Sequence, residues 1–203
     1  MPTLDDLGSL ATGLLGRGRR LVGVAGPPGA GKSTLAASLV DQLGEVAAGV
    51  PLDGFHLADV QLARLGLLER KGAPETFDAW GYAALLARLR ERPPQTVYAP
   101  GFERRLEQPL AAAIAVEHSV EVLVAEGNYL LLDRPEWVAV REQLDEVWYV
   151  VADESLRLER LLARHIEFGK SEAAARAWVQ RVDEPNGRLV EASRGRADRQ
   201  VTL

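Results

Sequence analysis

The chain contains no cysteine, which excludes disulfide bonds, thiolate catalysis and cysteine-based zinc sites. Its three histidines, His56, His118 and His165, are scattered along the sequence, a spacing that argues against a zinc cluster. Positive charge is not in excess either. A formal net charge of −5 leaves no global basic surplus to neutralise nucleic-acid phosphates or a membrane surface, so neither partner is expected. No apolar run reaches the ~20 residues needed to cross a bilayer. The opening stretch "MPTLDDLGSLATGLLGRGRR" lacks the basic segment and long apolar core of a secretory signal, and the expected location is the cytoplasm. Internal repeats, low-complexity tracts and a linker between domains are also missing.

What remains is an ordinary globular composition over 203 residues, 47% apolar and 26% charged, enough for one domain with a sizeable core. The expected domain runs over 1–203, with an N-terminal helix at about 1–19 carrying Leu4, Leu7, Leu10 and Leu14 on one side. "RLVGVA" (20–25) reads as a central strand, followed by Gly/Pro-rich "GPPGAG" and the helical "KSTLAASLVDQL". "EVAAGVPL" is a second strand. "DAWGYAALLARLRE" is a helix with Asp78 as N-cap and Pro93-Pro94 as its stop. "QTVYAP", "SVEVLVAE" and "DEVWYVV" follow as strands. Helical patterns at about 154–167 and 171–192 precede "RQVTL", which suits a final edge strand. Strands alternating with helices predict an α/β architecture with a parallel sheet covered on both faces. From Arg157 to Arg199 there are ten Lys/Arg against seven Asp/Glu, a local basic excess in an acidic chain and a hint of an anion site.

"GPPGAGKST" fits G-x-x-x-x-G-K-[ST], with Gly26, Gly31, Lys32 and Ser33 in the fixed positions and Gly29, Ala30 and Thr34 beside them. A strand before it and a helix after it give the required context. Glycines let backbone N–H groups converge on an anion at the positive end of a helix. Lys32 can reach the β- and γ-phosphates of a nucleotide, and the Ser33 hydroxyl can hold Mg²⁺. A dinucleotide fold would place an acid about 20 residues beyond its glycines, and Asp53 lies 21 residues after Lys32. The glycines do not spell G-x-G-x-x-G, however, because Thr34 occupies the third position.

Asp53 follows the second strand and Glu126 ends the strand in "LVAEGNY". Both therefore fall at the carboxyl edge of the sheet, where the phosphate loop also lies. An acid facing a γ-phosphate suits proton abstraction from an attacking hydroxyl; the alternative is a turn or N-cap aspartate, since Asp-Gly is a common turn pair. Glu126 holds the position from which a strand-end acid orients Mg²⁺ through water, or is an incidental strand end. Arg157, Arg160 and Arg164 share one helix face and suit neutralising a transferring phosphoryl group, unless the face is merely solvated.

The phosphate loop, then "DGFH", "RKGAPETFD" (70–78) and "EGNY" together resemble the kinase family of uridine kinase, phosphoribulokinase and bacterial pantothenate kinase. The arrangement is most similar to its nucleoside/nucleotide kinase or fructose-transport-system kinase branch. The resemblance runs from about residue 20 to the end of the chain. It implies a P-loop NTPase three-layer fold with a small helical lid, lid and C-terminal helices at about 154–192, and an ATP- and Mg²⁺-dependent kinase. It further implies Asp53 as catalytic base, Glu126 as strand-end acid, Lys32 and Ser33 as phosphate and Mg²⁺ ligands, and Arg160 and Arg164 as lid arginines. Where uridine kinases carry a Tyr-Asp pair, this chain has Phe102, Glu103 and Arg104, which counts against uridine as the default acceptor. His56, Arg70, Lys71, Tyr98, Arg104 and Asn128 are candidates to line a polar pocket for a small hydroxylated metabolite, neutral or anionic, such as a nucleoside, sugar or pantothenate-like compound. A nucleoside monophosphate kinase has no use for a carboxylate base. The N-K-x-D guanine motif and the L-S-G-G-Q signature are absent, so ATP is the expected nucleotide; a nucleotide sensor and a nucleoside monophosphate kinase are the alternatives. Oligomeric state, including a homodimer, is open at this stage.

Overall fold

The computed structural model describes residues 7–16 and 18–203. In chain order the elements are α1 (Leu7–Thr12), β1 (Arg20–Ala25), α2 (Lys32–Leu43), β2 (Ala47–Pro51), α3 (Asp59–Leu65), α4 (Ala79–Arg90), β3 (Val97–Glu103), β4 (Gln108–Val116), β5 (Val122–Glu126), α5 (Pro135–Glu142), β6 (Glu146–Val151), α6 (Glu154–Glu167), α7 (Glu172–Trp178), α8 (Glu184–Ala192) and β7 (Arg199–Thr202). The apolar runs expected to be buried strands form a parallel sheet in the order β2-β5-β1-β6-β7.

Successive side chains on a strand point to opposite faces, and here both faces are covered. Leu21, Leu123, Ala125, Val147 and Tyr149 pack on one side against Tyr82 and Leu86 of α4 and Trp137 of α5. Val22, Val24, Val124, Trp148 and Val150 pack on the other against Leu35 and Leu39 of α2. The result is a three-layer α/β sandwich with a parallel central sheet. Asp78 caps α4 as expected, its carboxylate accepting the Gly81 N–H at 2.8 Å.

Three elements differ from the sequence reading. Among the described residues the N-terminal helix is confined to Leu7–Thr12, and the chain then turns through Gly16 and Gly18 at φ 75° and 80°. Leu14 is buried, whereas Leu4 lies outside the described residues. The segment at 171–192 is α7 and α8 joined by a π-helical turn, Val179–Asp183. Pro185 has no N–H, and its ring would crowd the Arg181 carbonyl in a regular α-helix. The "QTVYAP" strand is one arm of an antiparallel β3–β4 hairpin outside the parallel sheet. β4 carries three consecutive alanines, and so offers little of the β-branched signal that marks a strand. The register shifts between Ala99 and Gly101, at Pro100, which cannot donate to the ladder. Among the described residues, no helix is long and apolar enough to cross a membrane.

Candidate active site

The phosphate loop leaves β1 and turns directly into α2. Gly31, at φ 95°, precedes the helix in the left-handed region. Gly29, at φ 81°, is pressed against α6, where a Cβ would sit 2.7 Å from the Arg157 carbonyl oxygen. A side chain at Gly29 would thus both strain the loop and push α6 away. Gly26 begins the loop, and Ala30 is fully buried with its N–H donating to the Pro27 carbonyl at 3.2 Å. The Lys32 ammonium is buried and donates to the Pro27 carbonyl at 3.0 Å. Burial lowers its pKa to about 8, although the charges of Glu126 and Asp53 pull the other way. Ser33 and Thr34 are exposed on the first turn of α2, and the Ser33 hydroxyl donates to Glu126 Oε2 at 3.3 Å.

Strand register brings the acids to that loop. Glu126 stands level with Val24 of β1 and Pro51 of β2. Burial raises the Glu126 carboxyl pKa above the usual range, and Asp53 nearby adds to this, against Lys32 and the Ser33 hydrogen bond. Asp53 follows β2 in a tight 3₁₀ turn, Leu52–Phe55. The buried Tyr82 hydroxyl supports the strand end from below, donating to the Val50 carbonyl at 2.6 Å.

The signature stretches, distant in sequence, are knitted together through backbone groups. The Asp78 N–H donates to the Phe55 carbonyl at 2.8 Å and the Leu57 N–H to the Thr76 carbonyl at 2.9 Å, joining "DGFH" to "RKGAPETFD". The Tyr129 hydroxyl of "EGNY" donates to the Gly72 carbonyl. The hairpin closes over the same turn, so tightly that a Cβ on Gly54 would lie 2.3 Å from the Pro100 carbonyl oxygen. This positions Arg104, just beyond β3, to hydrogen-bond Asp53 Oδ2 at 2.6 Å.

Beside this cluster lies a cavity of about 400 Å³. Of the residues expected to line it, His56, Lys71 and Arg104 do so, together with Arg164. The His56 ring sits between Phe77, at 4.0 Å, and Phe102, at 5.1 Å. Burial lowers its pKa to about 4, which leaves it neutral near pH 7. Lys71 donates to Asp59 Oδ1 at 2.7 Å and to the Glu107 carbonyl. Three expected lining residues stand elsewhere. Arg70 pairs with Glu75 at 2.5 Å beside a separate hollow. Tyr98 is 60% exposed on the hairpin, because alternate strand residues face outward. Asn128 is half-buried and is not part of the cavity wall. The far wall comes instead from His165, Phe168, Lys170, Trp178 and Asp183. Of these, only Lys170 belongs to the local basic excess after Arg157.

The arginine face of α6 divides by position. Arg157 is buried, donating to Glu184 at 2.5 Å, Glu154 at 3.2 Å and the Pro28 carbonyl at 3.3 Å. Its charge is consumed in holding the loop to the C-terminal helices, so it is not part of a free cationic stripe. Arg160 is exposed next to Gly31, and Arg164 faces the cavity close enough to oppose the charge on Lys32.

Comparison with known proteins agrees with this geometry. The sequence pattern of the Phosphoribulokinase / Uridine kinase family matches residues 21–198. An Escherichia coli K12 protein, YggC, is 34% identical over 190 residues, covering 91% of this chain and 78% of its own length. A Schizosaccharomyces pombe protein provisionally named uridine kinase is 35% identical over 175 residues, covering 81% of this chain and 74% of its own. Among solved structures, a Silicibacter sp. TM1040 protein provisionally named a fructose transport system kinase superposes with a TM-score of 0.82 and 38% identity, covering 96% of this chain and 98% of that one.

Proposed function

The chain belongs to the phosphoribulokinase / uridine kinase family, and from that premise we propose that Asp53 is the base through which ATP phosphorylates a hydroxyl of a small metabolite. As a member of that family it is a P-loop kinase that uses ATP on a small molecule. The placement of Asp53 carries its assignment as base. It stands at the same sheet edge as the phosphate loop and is bonded to a residue of the cavity wall.

In this reading the acceptor hydroxyl enters from the cavity, among His56, Lys71 and Arg104. Asp53 takes its proton as the oxygen attacks the γ-phosphorus, and ADP leaves with the β–γ bridging oxygen. Loop N–H groups and the Lys32 ammonium hold the transferring phosphates, and Arg160 and Arg164 neutralise charge developing on them. The donors also suit Mg²⁺: the Ser33 hydroxyl and the Glu126 carboxylate are hard oxygen groups beside each other at the loop. Among the described residues no three His, Asp or Glu groups converge as a metal site, so these two would complete their part of a shell otherwise made of phosphate and water. When bound, the ion supplies charge neutralisation on the phosphates. The acceptor in this reading is a small hydroxylated metabolite such as a nucleoside, sugar or pantothenate-like compound.

The test is Mg·ATP-dependent ADP release across nucleosides, hydroxy acids, sugars and polyols, with Asp53→Asn as control. Stimulation by an acceptor that falls about 10²–10⁴-fold in the variant, with ATP affinity retained, supports the reading. Equal slow release with every compound, unchanged by the substitution, overturns it and leaves a nucleotide sensor.

A further inference from the structure

We propose that Arg104 is an acceptor-operated gate on Asp53: it clamps the carboxylate in the empty enzyme and releases it only to an anionic group carried by the acceptor. The inference deepens the reading of Asp53 as base and rests on it. It names the acceptor class as a hydroxylated metabolite bearing a carboxylate or a phosphate.

Arg104 lies 2.6 Å from Asp53 Oδ2 while its side chain is 41% exposed and lines the cavity. The Phe102 ring, 5.4 Å away, supports the guanidinium as a cation on an aromatic face. With Arg104 on Oδ2, that carboxylate oxygen is already occupied and is not open to an acceptor hydroxyl, so the pair restrains the base. An uncharged acceptor cannot compete with Asp53 for Arg104, whereas a carboxylate or phosphate can, because guanidinium binds both with matching geometry.

The wall also holds Asp59, Glu69, Glu107 and Asp183, of which Asp59, Glu69 and Asp183 are paired with Lys71, Arg181 and His165. Lys71 is already engaged by Asp59 and the Glu107 carbonyl. Lys170 lies over the Trp178 ring at 5.0 Å. Arg164 faces the cavity and makes no ion pair among the described residues. An entering anion therefore meets Arg104 and Arg164 as uncommitted or exchangeable guanidinium groups. As Arg104 turns to it, Asp53 becomes available to the acceptor hydroxyl: the O–H proton passes to the carboxylate, the new O–P bond forms and the γ-phosphorus separates from ADP. Water alone brings no charge to exchange, so the clamp also restrains ATP hydrolysis in the empty enzyme.

Matched pairs test this: pantothenate against pantothenol, glycerate against glycerol, and ribulose 5-phosphate against ribulose. The carboxylate and phosphate arms identify which anion is preferred. Wild type should use an anionic member with a KM about 10- to 100-fold below that of its neutral partner, the ratio set by one charged hydrogen bond. Arg104→Gln should erase that ratio by raising the anionic KM, should raise kcat for the neutral member because Asp53 is no longer clamped, and should increase acceptor-free ADP release. Arg104→Lys should restore much of the KM. A second measurement needs no turnover. Calorimetry should show Asp53→Asn binding the anionic member more tightly than wild type, because Arg104 is unclamped, with the neutral member unaffected. A lost rate equal for both members in Arg104→Gln, with no rise in hydrolysis, overturns the gate, as does unchanged anion affinity in Asp53→Asn. Failure of every acceptor to be phosphorylated, with anion binding intact, would fall on the base reading instead.

Discussion

Gly54 offers a measurement that separates the geometry of the site from its chemistry. Its backbone is not in the left-handed region, so alanine is not excluded by conformation. The obstacle is space: the new Cβ would lie 2.3 Å from the Pro100 carbonyl oxygen and 2.7 Å from its carbon. A close C···O contact is about 3.3 Å, so Gly54→Ala must drive the hairpin and the Asp53 turn apart by about 1 Å. Both partners are backbone and cannot rotate away. Overpacking of this kind costs about 1–3 kcal/mol, which for a chain of this size lowers Tm by about 2–12 °C. Displacing Arg104 and Phe102 from Asp53 by the same distance should lower acceptor-dependent kcat/KM by about 100-fold. ATP affinity should hold, because the phosphate loop rests on β1, α2 and α6 and not on the hairpin. Thermal unfolding, nucleotide titration and acceptor-stimulated ADP release measured on one preparation give the result. A variant with wild-type Tm and wild-type turnover would refute the claim that this contact sets the site.

Other perturbations follow from named groups. Burial lowers the Lys32 pKa to about 8, so its charge in the empty site is lost as pH rises through that value. The unfolded chain keeps the proton up to about 10.4, and this group therefore makes stability rise with pH between the two values. Bound phosphate should restore the charge, so ATP binding at pH 9 should take up a proton. Calorimetry in buffers of different ionisation enthalpy reads that uptake, and its persistence in Lys32→Met would refute the assignment. The arginines of α6 should divide in a second assay. Arg157→Met strands the Glu184 carboxylate and the Pro28 carbonyl, and should lower stability by about 2–4 kcal/mol and weaken ATP binding. Arg160→Met, on an exposed side chain, should leave Tm unchanged and lower kcat; the reverse ordering would show that the two roles are misassigned.

Much of the architecture was legible along the chain. β1, β5 and β6 are continuous apolar runs because a parallel strand covered on both faces has no solvent side to mark with polar residues. The phosphate loop was legible for a related reason: backbone N–H groups can converge on an anion only with glycines in fixed places. The hairpin was harder to see. Its second arm is alanine-rich and mostly exposed, so neither propensity nor alternation announces it. Arg70 and Tyr98 illustrate the same limit. Proximity to a signature stretch says nothing about which way a side chain points, and one is drawn off by Glu75 while the other faces solvent.

By itself, then, the sequence determined the alternation of strands and helices, the phosphate loop and the acids at strand ends, because each is a local pattern enforced by backbone chemistry. Only the tertiary structure decided which of those groups meet. Arg104 reaches Asp53 across 51 residues of chain because a hairpin packs against a glycine that leaves it room. Arg157 is withdrawn from its own helical stripe because Glu184, on a later helix, neutralises it in a buried position. Such pairings depend on where whole elements are packed, and spacing along one element does not encode them.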